Sequence, residues 1–178
     1  YINSSSSNSD TQEIPPNLRF GQRYYWRVRA WVPGDTSAWT QSTFITRDYV
    51  TLSSPASGAD IWTGGTFNWS PHAGVLFYDV QADTSSTFNS PVMVATTTNY
   101  INSTDGNSDT QWQFSNLFFG KTYYWRVRAR NAVDTSRWDE VRTVNTRDFV
   151  NLSSPASGSD TWTGVTLNWA PHNGVLFY

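Results

Sequence analysis

Two histidines are the first residues to consider for chemistry, because an imidazole ring can ligate a metal ion or act as a general base. His72 follows Ser-Pro, and His172 follows Ala-Pro one hundred positions later. A metal site or a catalytic base needs further ligands or a nucleophile at a suitable spacing, and neither histidine has such companions nearby in the sequence. Both histidines are therefore interpreted as turn residues in a repeated loop.

Carboxylates and hydroxyls are the other groups that could carry a reaction. The run from Asp105 to Asp109 alternates oxygen side chains around a glycine, but it lacks the remaining positions of a calcium loop, so a solvated loop is preferred. The carboxylates that a hydrolase would need fall on predicted outer faces or in turns: Asp79, Asp83, Asp139 and Glu140. There is no Gly-x-Ser-x-Gly motif, phosphate loop, dinucleotide fingerprint or cysteine. The sequence therefore predicts no catalytic residue, no metal site and no cofactor.

Composition narrows the remaining functions. Only 15% of the 178 residues are charged and the net charge is −2, which argues against a nucleic-acid partner. No apolar run approaches the roughly 20 residues of a membrane helix. The first residues carry no signal peptide, but the sequence starts within a repeat, so this says nothing about export.

One strand organises the chain, at residues 123–129 with a copy at 24–30. Tyr123 and Trp125 alternate with polar residues at the period of two that is expected of a strand with one dry and one wet side. Tyr24 and Trp26 hold the same places in the copy, and all four residues are assigned to the core. The dry face needs a second sheet to cover it, which predicts a β-sandwich.

An internal repeat of about one hundred residues sets the domain count. Residues 1–47 are predicted to be the C-terminal half of one domain, 48–147 a complete domain, and 148–178 the N-terminal part of the next. The complete domain shows about seven short strand signals and no helical periodicity, which indicates an all-β sandwich. Its first strand is expected near residues 52–60 and its last near 138–146. Trp69, its copy Trp169, and Tyr78 are assigned to the core.

A tryptophan in this sequence can be either a core residue or a ligand-binding residue, because its ring packs in cores and also stacks on sugars. Trp31 and Trp112 do not recur, since Arg130 and Glu13 hold the corresponding positions, and polar counterparts indicate wet positions. These two tryptophans are the candidate ligand-binding residues. The outward side chains of the organising strand, Tyr124, Arg126 and Arg128, are interpreted as a ladder of cross-strand and cation–π contacts or as a lateral contact surface.

Several motifs together resemble a known family. Leu117-x-x-Gly120-x-x-Tyr123, repeated from Leu18 to Tyr24, looks like the tyrosine corner of fibronectin type III domains, and Trp69 and Trp169 resemble their strand-B tryptophan. The motifs Pro-Ala-Ser-Gly, Asn-Trp-Ser-Pro, Tyr-Asp-Val-Gln and Tyr-Tyr-Trp-Arg-Val-Arg-Ala are similar to tandem type III-like repeats of large bacterial surface and secreted proteins. The chain departs from the corner at Phe20 and Phe119, which stand in place of proline and predict a less rigid turn.

The resemblance and the short joints between domains predict a non-catalytic structural repeat of an extracellular stalk, filament or adhesin, built as a semi-rigid rod of tandem sandwiches. The expected partners are neighbouring repeats or identical chains arranged head to tail, with lateral self-association and a surface glycan as further options. The alternative function is a carbohydrate-binding or spacer module of a secreted enzyme. Residues 148–178 could also be completed by residues 1–47 of another chain, although that composite would lack the segment matching 79–99; an interior slice of a longer polypeptide is preferred.

Overall fold

We describe the fold from a computed structural model, which describes residues 11–89, 91, 93–98, 110–114 and 117–172, with only the backbone for 93–98. Every regular element in these ranges is a β-strand. The run from Asp105 to Asp109 lies outside the described residues. The described part of the chain has no helix of the length and apolarity needed to cross a membrane.

The strands are β1 (Arg23–Val28), β2 (Trp31–Val32), β3 (Asp35–Thr36), β4 (Thr40–Ile45), β5 (Leu52–Ser54), β6 (Ala59–Ile61), β7 (Thr66–Trp69), β8 (Phe77–Asp83), β9 (Met93–Thr98), β10 (Gln111–Gln113), β11 (Thr122–Arg130), β12 (Val141–Thr146), β13 (Leu152–Ser154) and β14 (Asn168–Trp169).

Strands β5 to β12 form two sheets of the central domain. One sheet has the order β10-β7-β5, and the other has the order β6-β12-β11-β8-β9. All pairs within the two sheets are antiparallel except β6 with β12, which is parallel. This arrangement agrees with the predicted all-β sandwich.

The first strand differs from the prediction, which placed one element near residues 52–60. The chain instead leaves β5 and forms the separate strand β6 in the other sheet, so the domain has eight described strands. Gly58 lies at the crossing with φ of 81°, a left-handed conformation that side chains other than glycine rarely adopt. The last strand also begins at Val141 and not near residue 138.

The core lies between the two sheets. In β11 the side chains alternate strictly, and Tyr123 and Trp125 are buried together with Tyr78 from the neighbouring strand β8 and Trp69 from β7 of the opposite sheet. Phe67 of β7 crosses the gap between the sheets, because its ring lies edge-on to Trp125 with centroids 5.0 Å apart. The ring of Trp69 meets that of Tyr78 at 5.6 Å.

Three residues assigned to the core are not buried. Trp26 is 51% exposed and Trp169 is 43% exposed, whereas their equivalents Trp125 and Trp69 are 0% and 2% exposed. Tyr24 is half-buried. Strand β1 pairs only with β4, and β14 only with β13, so in the described residues neither two-stranded sheet is covered by an opposing sheet. The same side chain is therefore core or surface according to whether an opposing sheet covers it within the described residues.

Candidate functional site

His72 lies in the loop between β7 and β8. The backbone N–H of His72 donates to Tyr78 Oη at 2.9 Å, which ties the loop before β8 to the core. Burial, with a smaller contribution from the nearby charge of Arg47, lowers the pKa of His72. Burial raises the pKa of Tyr78 to about 12, although the hydrogen bond from His72 opposes the shift. Among the described residues there is no group of three or more His, Cys, Asp or Glu side chains that could hold a metal ion.

Trp112 lies in β10 at the edge of the three-stranded sheet. It stands directly opposite Phe67 in the register, so it shares that residue's face, and it is 36% exposed; among the described strands β10 lies at the edge of its sheet. A shallow depression of about 320 Å³ is lined by Trp112, Thr66, Gln111 and Gln113. Trp112 thus lies at the rim of the core and is partly open to solvent.

Trp31 lies elsewhere, in the β2–β3 hairpin of residues 1–47, which are called the first segment below. It is 66% exposed. The hairpin turns at Gly34, where φ is 91°. The two candidate tryptophans therefore belong to different sheets, and the structure does not combine them into one binding surface.

The outer face of β11 carries a stack of arginines and aromatic rings. The guanidinium carbons of Arg126 and Arg128 lie 4.5 and 4.7 Å from the ring centre of Trp138, and Arg126 also lies 3.9 Å from the ring centre of Phe88. The first segment repeats the arrangement, with two arginines 4.3 and 4.6 Å from Trp39. These distances are within the range of cation–π attraction and match the predicted ladder. The sequence analysis did not identify Trp138 as the aromatic ring that these arginines contact. The Arg-x-Arg spacing of β11 places both guanidinium groups on one face and could have indicated a shared aromatic partner.

Asp79 anchors this face electrostatically. Its two carboxylate oxygens accept from Arg128 Nε at 2.9 Å and Arg130 Nη2 at 3.0 Å, and its side chain is 10% exposed. The arginines are about a third exposed, so solvent screens part of the attraction. Asp79 thereby links two arginines on the outer face of the sheet.

The turn before β11 is a tyrosine corner. Tyr123 Oη accepts the backbone N–H of Phe118 at 2.9 Å, and Thr146 Oγ1 donates to the Phe118 carbonyl at 2.6 Å. The first segment repeats both contacts, since Tyr24 Oη accepts the N–H of Arg19 at 2.8 Å and Thr46 Oγ1 donates to the Arg19 carbonyl at 2.6 Å. Such a corner fixes the position of the turn, and the turn meets the next repeat.

The first joint between repeats is made by the equivalent turn before β1. The backbone N–H of Phe20 donates to Asp134 Oδ2 at 3.0 Å, and Asn131 Nδ2 donates to the carbonyl of Leu18 at 2.8 Å. The Phe20 ring packs against the core cluster of the central domain. The phenylalanine that departs from the expected proline therefore has a role, which is to contact the following domain.

Asp48 closes the same joint. Its Oδ1 accepts the backbone N–H of Arg137 at 2.9 Å, and its side chain lies against Gly21, where a β-carbon would come within 3.3 Å of the Asp48 Cβ. Gly120 stands in the same relation to Asp148, again at 3.3 Å. The glycine–aspartate contact is thus repeated at both joints.

The second joint is an aromatic cluster. The ring of Trp62 stacks on His172 with centroids 3.5 Å apart and an interplanar angle of 15°. Phe149 meets the same indole edge-on at 6.3 Å, and the Arg147 guanidinium lies 5.4 Å from its centre. One tryptophan of the central domain thereby joins two residues of the next repeat.

Comparisons with known proteins were made on the sequence and on the fold. No protein-family model matches this chain, and no curated protein matches it. An Fn3-like protein from Clostridium thermocellum is 15% identical with a TM-score of 0.40, covering 57% of this chain and 94% of its own. A two-domain fibronectin type III segment of chicken tenascin is 18% identical with a TM-score of 0.40, covering 71% of this chain and 66% of its own. A β-1,2-glucanase from Parabacteroides distasonis is 13% identical with a TM-score of 0.37, covering 62% of this chain and 15% of its own.

Proposed function

We propose that this chain is a non-catalytic structural repeat of an extracellular bacterial stalk, filament or adhesin, in which type III-like sandwiches join end to end as a semi-rigid rod. The observation that carries the proposal is that both joints hold specific contacts between consecutive repeats. Phe20 is held by Asp134 at the first joint, and Trp62 is stacked on His172 at the second. Such contacts serve a protein whose repeats keep a constant mutual orientation.

The connecting segments support the same conclusion. Only residues 46–51 separate β4 from β5, and only residues 147–151 separate β12 from β13. Asp48, within the first of these segments, is itself bonded to Arg137. A connection this short, with its own side chains engaged, has little of the freedom of a Gly/Ser linker.

The polar groups of the central domain also support a structural role. Asp79 is paired with arginines, and Tyr78 accepts the N–H of His72. The Asp79 carboxylate and the Tyr78 hydroxyl, which are groups that could serve in catalysis, thus hold a strand and a loop in place.

The proposal is tested by the denatured mass and location of the native polypeptide, detected with an antibody against residues 48–147. We expect labelling of intact cells and a mass far above the 20.1 kDa of this chain. A native mass near 20.1 kDa would overturn the tandem-array proposal and would make strand exchange between chains the means of assembly.

Trp112 favours one second candidate, a carbohydrate-binding or spacer module of a secreted enzyme. Trp112 is 36% exposed beside a shallow depression, and an accessible indole ring suits the apolar face of a sugar. The candidate predicts binding of the chain to a polysaccharide, lost in Trp112→Ala and kept in Trp31→Ala. Absence of binding across a broad glycan panel would remove this candidate.

A further inference from the structure

Trp162 is a large apolar side chain that is 92% exposed. Its equivalent one hundred positions earlier, Trp62, is covered by His172 and Phe149 of the following repeat. The chain therefore contains one such tryptophan, Trp62, that is covered by the following repeat and one, Trp162, that is exposed. The residues that cover Trp62 indicate which residues would fit Trp162.

The turn that presents the two tryptophans is the same. The N–H of Gly65 donates to the Trp62 carbonyl at 2.9 Å, and the N–H of Val165 donates to the Trp162 carbonyl at 3.1 Å. A glycine with positive φ precedes each turn, Gly58 with φ of 81° and Gly158 with φ of 76°. The backbone therefore offers Trp162 to its surroundings as it offers Trp62 to His172.

The surface that receives Trp62 also has an equivalent within the chain. Phe149 and His172 are separated by 23 positions, and Tyr49 and His72 have the same separation in the central domain. Tyrosine keeps the ring that phenylalanine supplies. Arg47 corresponds to Arg147 and lies with its guanidinium 5.8 Å from the Tyr49 ring. Arg47, at the end of the first segment, and the Tyr49 and His72 rings of the central domain thus correspond to the three groups that surround Trp62 at the second joint.

We infer that Trp162 is one half of a docking contact whose other half is the Tyr49–His72 surface, and that the partner is a second copy of this repeat. Trp162 of one copy stacks on His72 of the next, as Trp62 stacks on His172 within the chain. The inference rests on the proposed function, because it treats the chain as one member of a series. It specifies the residues by which each further repeat is added.

The experiment follows the two histidines of the full 178-residue chain by proton NMR from about 50 µM to about 2 mM, a range suited to the weak affinity of a single untethered contact. A ring stacked on an indole has its proton signals moved upfield. We expect the His72 signals to move upfield as concentration rises. The His172 signals serve as the internal control and stay constant, because that ring is already stacked on Trp62.

The matched variants are Trp162→Ala and Trp31→Ala. Both remove an exposed tryptophan from a terminal segment, so neither disturbs the buried core. We expect Trp162→Ala to weaken the concentration dependence at His72 at least tenfold and Trp31→Ala to preserve it. Three results would each overturn the inference: His72 signals that do not change with concentration, equal changes in the wild type and Trp162→Ala, or equal losses in both variants.

The outcome is separable from that of the proposed function. A long native polypeptide without the His72 response leaves the stalk in place and removes this contact. A native mass near 20.1 kDa with the response removes the single-polypeptide stalk and retains the contact as one made between chains.

Discussion

Removing one hydroxyl from the tyrosine corner should destabilise the central domain far more than the first segment. Tyr123 is 1% exposed, and its Oη accepts the N–H of Phe118 at 2.9 Å. In Tyr123→Phe that partly buried amide loses its acceptor, and leaving a buried donor unsatisfied costs about 1 to 3 kcal/mol. We expect the free energy of unfolding of the central domain to fall by that amount.

The chain supplies its own control. Tyr24 makes the same hydrogen bond to Arg19 at 2.8 Å, but this bond is exposed, so water can replace the hydroxyl in Tyr24→Phe. The expected cost there is at most about 0.5 kcal/mol, because an exposed amide pays little desolvation. The comparison holds the chemistry of the bond constant and changes only its burial.

Urea unfolding of the full chain measures the difference. With a slope of about 2 kcal/mol per molar urea, the midpoint of Tyr123→Phe should fall by about 0.5 to 1.5 M, and that of Tyr24→Phe should scarcely change. Hydrogen exchange adds a local readout, since the Phe118 amide should exchange faster in Tyr123→Phe. Equal midpoint shifts in the two variants would refute the argument that burial sets the cost.

Three further predictions follow from contacts of the central domain and the second joint. The NMR titration of His72 should give a pKa below the ordinary 6.5, and Arg47→Gln should raise it. Because the folded state binds this proton more weakly than the unfolded state, stability should be complete above pH 6.5 and decline as the pH falls towards the folded pKa; a flat profile in Arg47→Gln and wild type alike would contradict this. Asp79→Asn should cost about 1 to 2 kcal/mol in urea unfolding, discounted for the partial exposure of its two arginine partners, and an unchanged midpoint would show that the pairs contribute nothing. Trp62→Ala should move the His172 proton signals downfield and leave those of His72 in place, whereas unchanged His172 signals would mean that the two rings are not stacked in solution.

Much of the sandwich follows from the sequence because strand faces repeat every two residues. The alternation in β11 predicts which side of that strand is buried, and Trp125 and Tyr123 lie there. The crossing at Gly58 does not follow from that pattern. A stretch of residues 52–60 reads as one strand until the second sheet is present to pair with its last part.

The ladder on the outer face shows a second limit. Trp138 has an equivalent in the other repeat, Trp39. A recurring tryptophan is equally compatible with a core residue and with a ring packed under arginines. Its position depends on β11, where Arg126 and Arg128 point outward at the spacing that fits one indole. The identity of the residue leaves the choice open, and the neighbouring strand decides it.

The sequence by itself determined the hundred-residue period, the all-β class and the alternation of buried and exposed faces, because these depend on local order along the chain. Only the tertiary structure decided which copy of a residue is buried and which residues meet at the joints. Trp26 and Trp125 occupy the same place in the same motif, yet one is 51% exposed and the other 0%, since within the described residues an opposing sheet covers only Trp125. The contact of Trp62 with His172 spans 110 positions, and no local pattern encodes a contact whose energy comes from two distant loops brought together by folding.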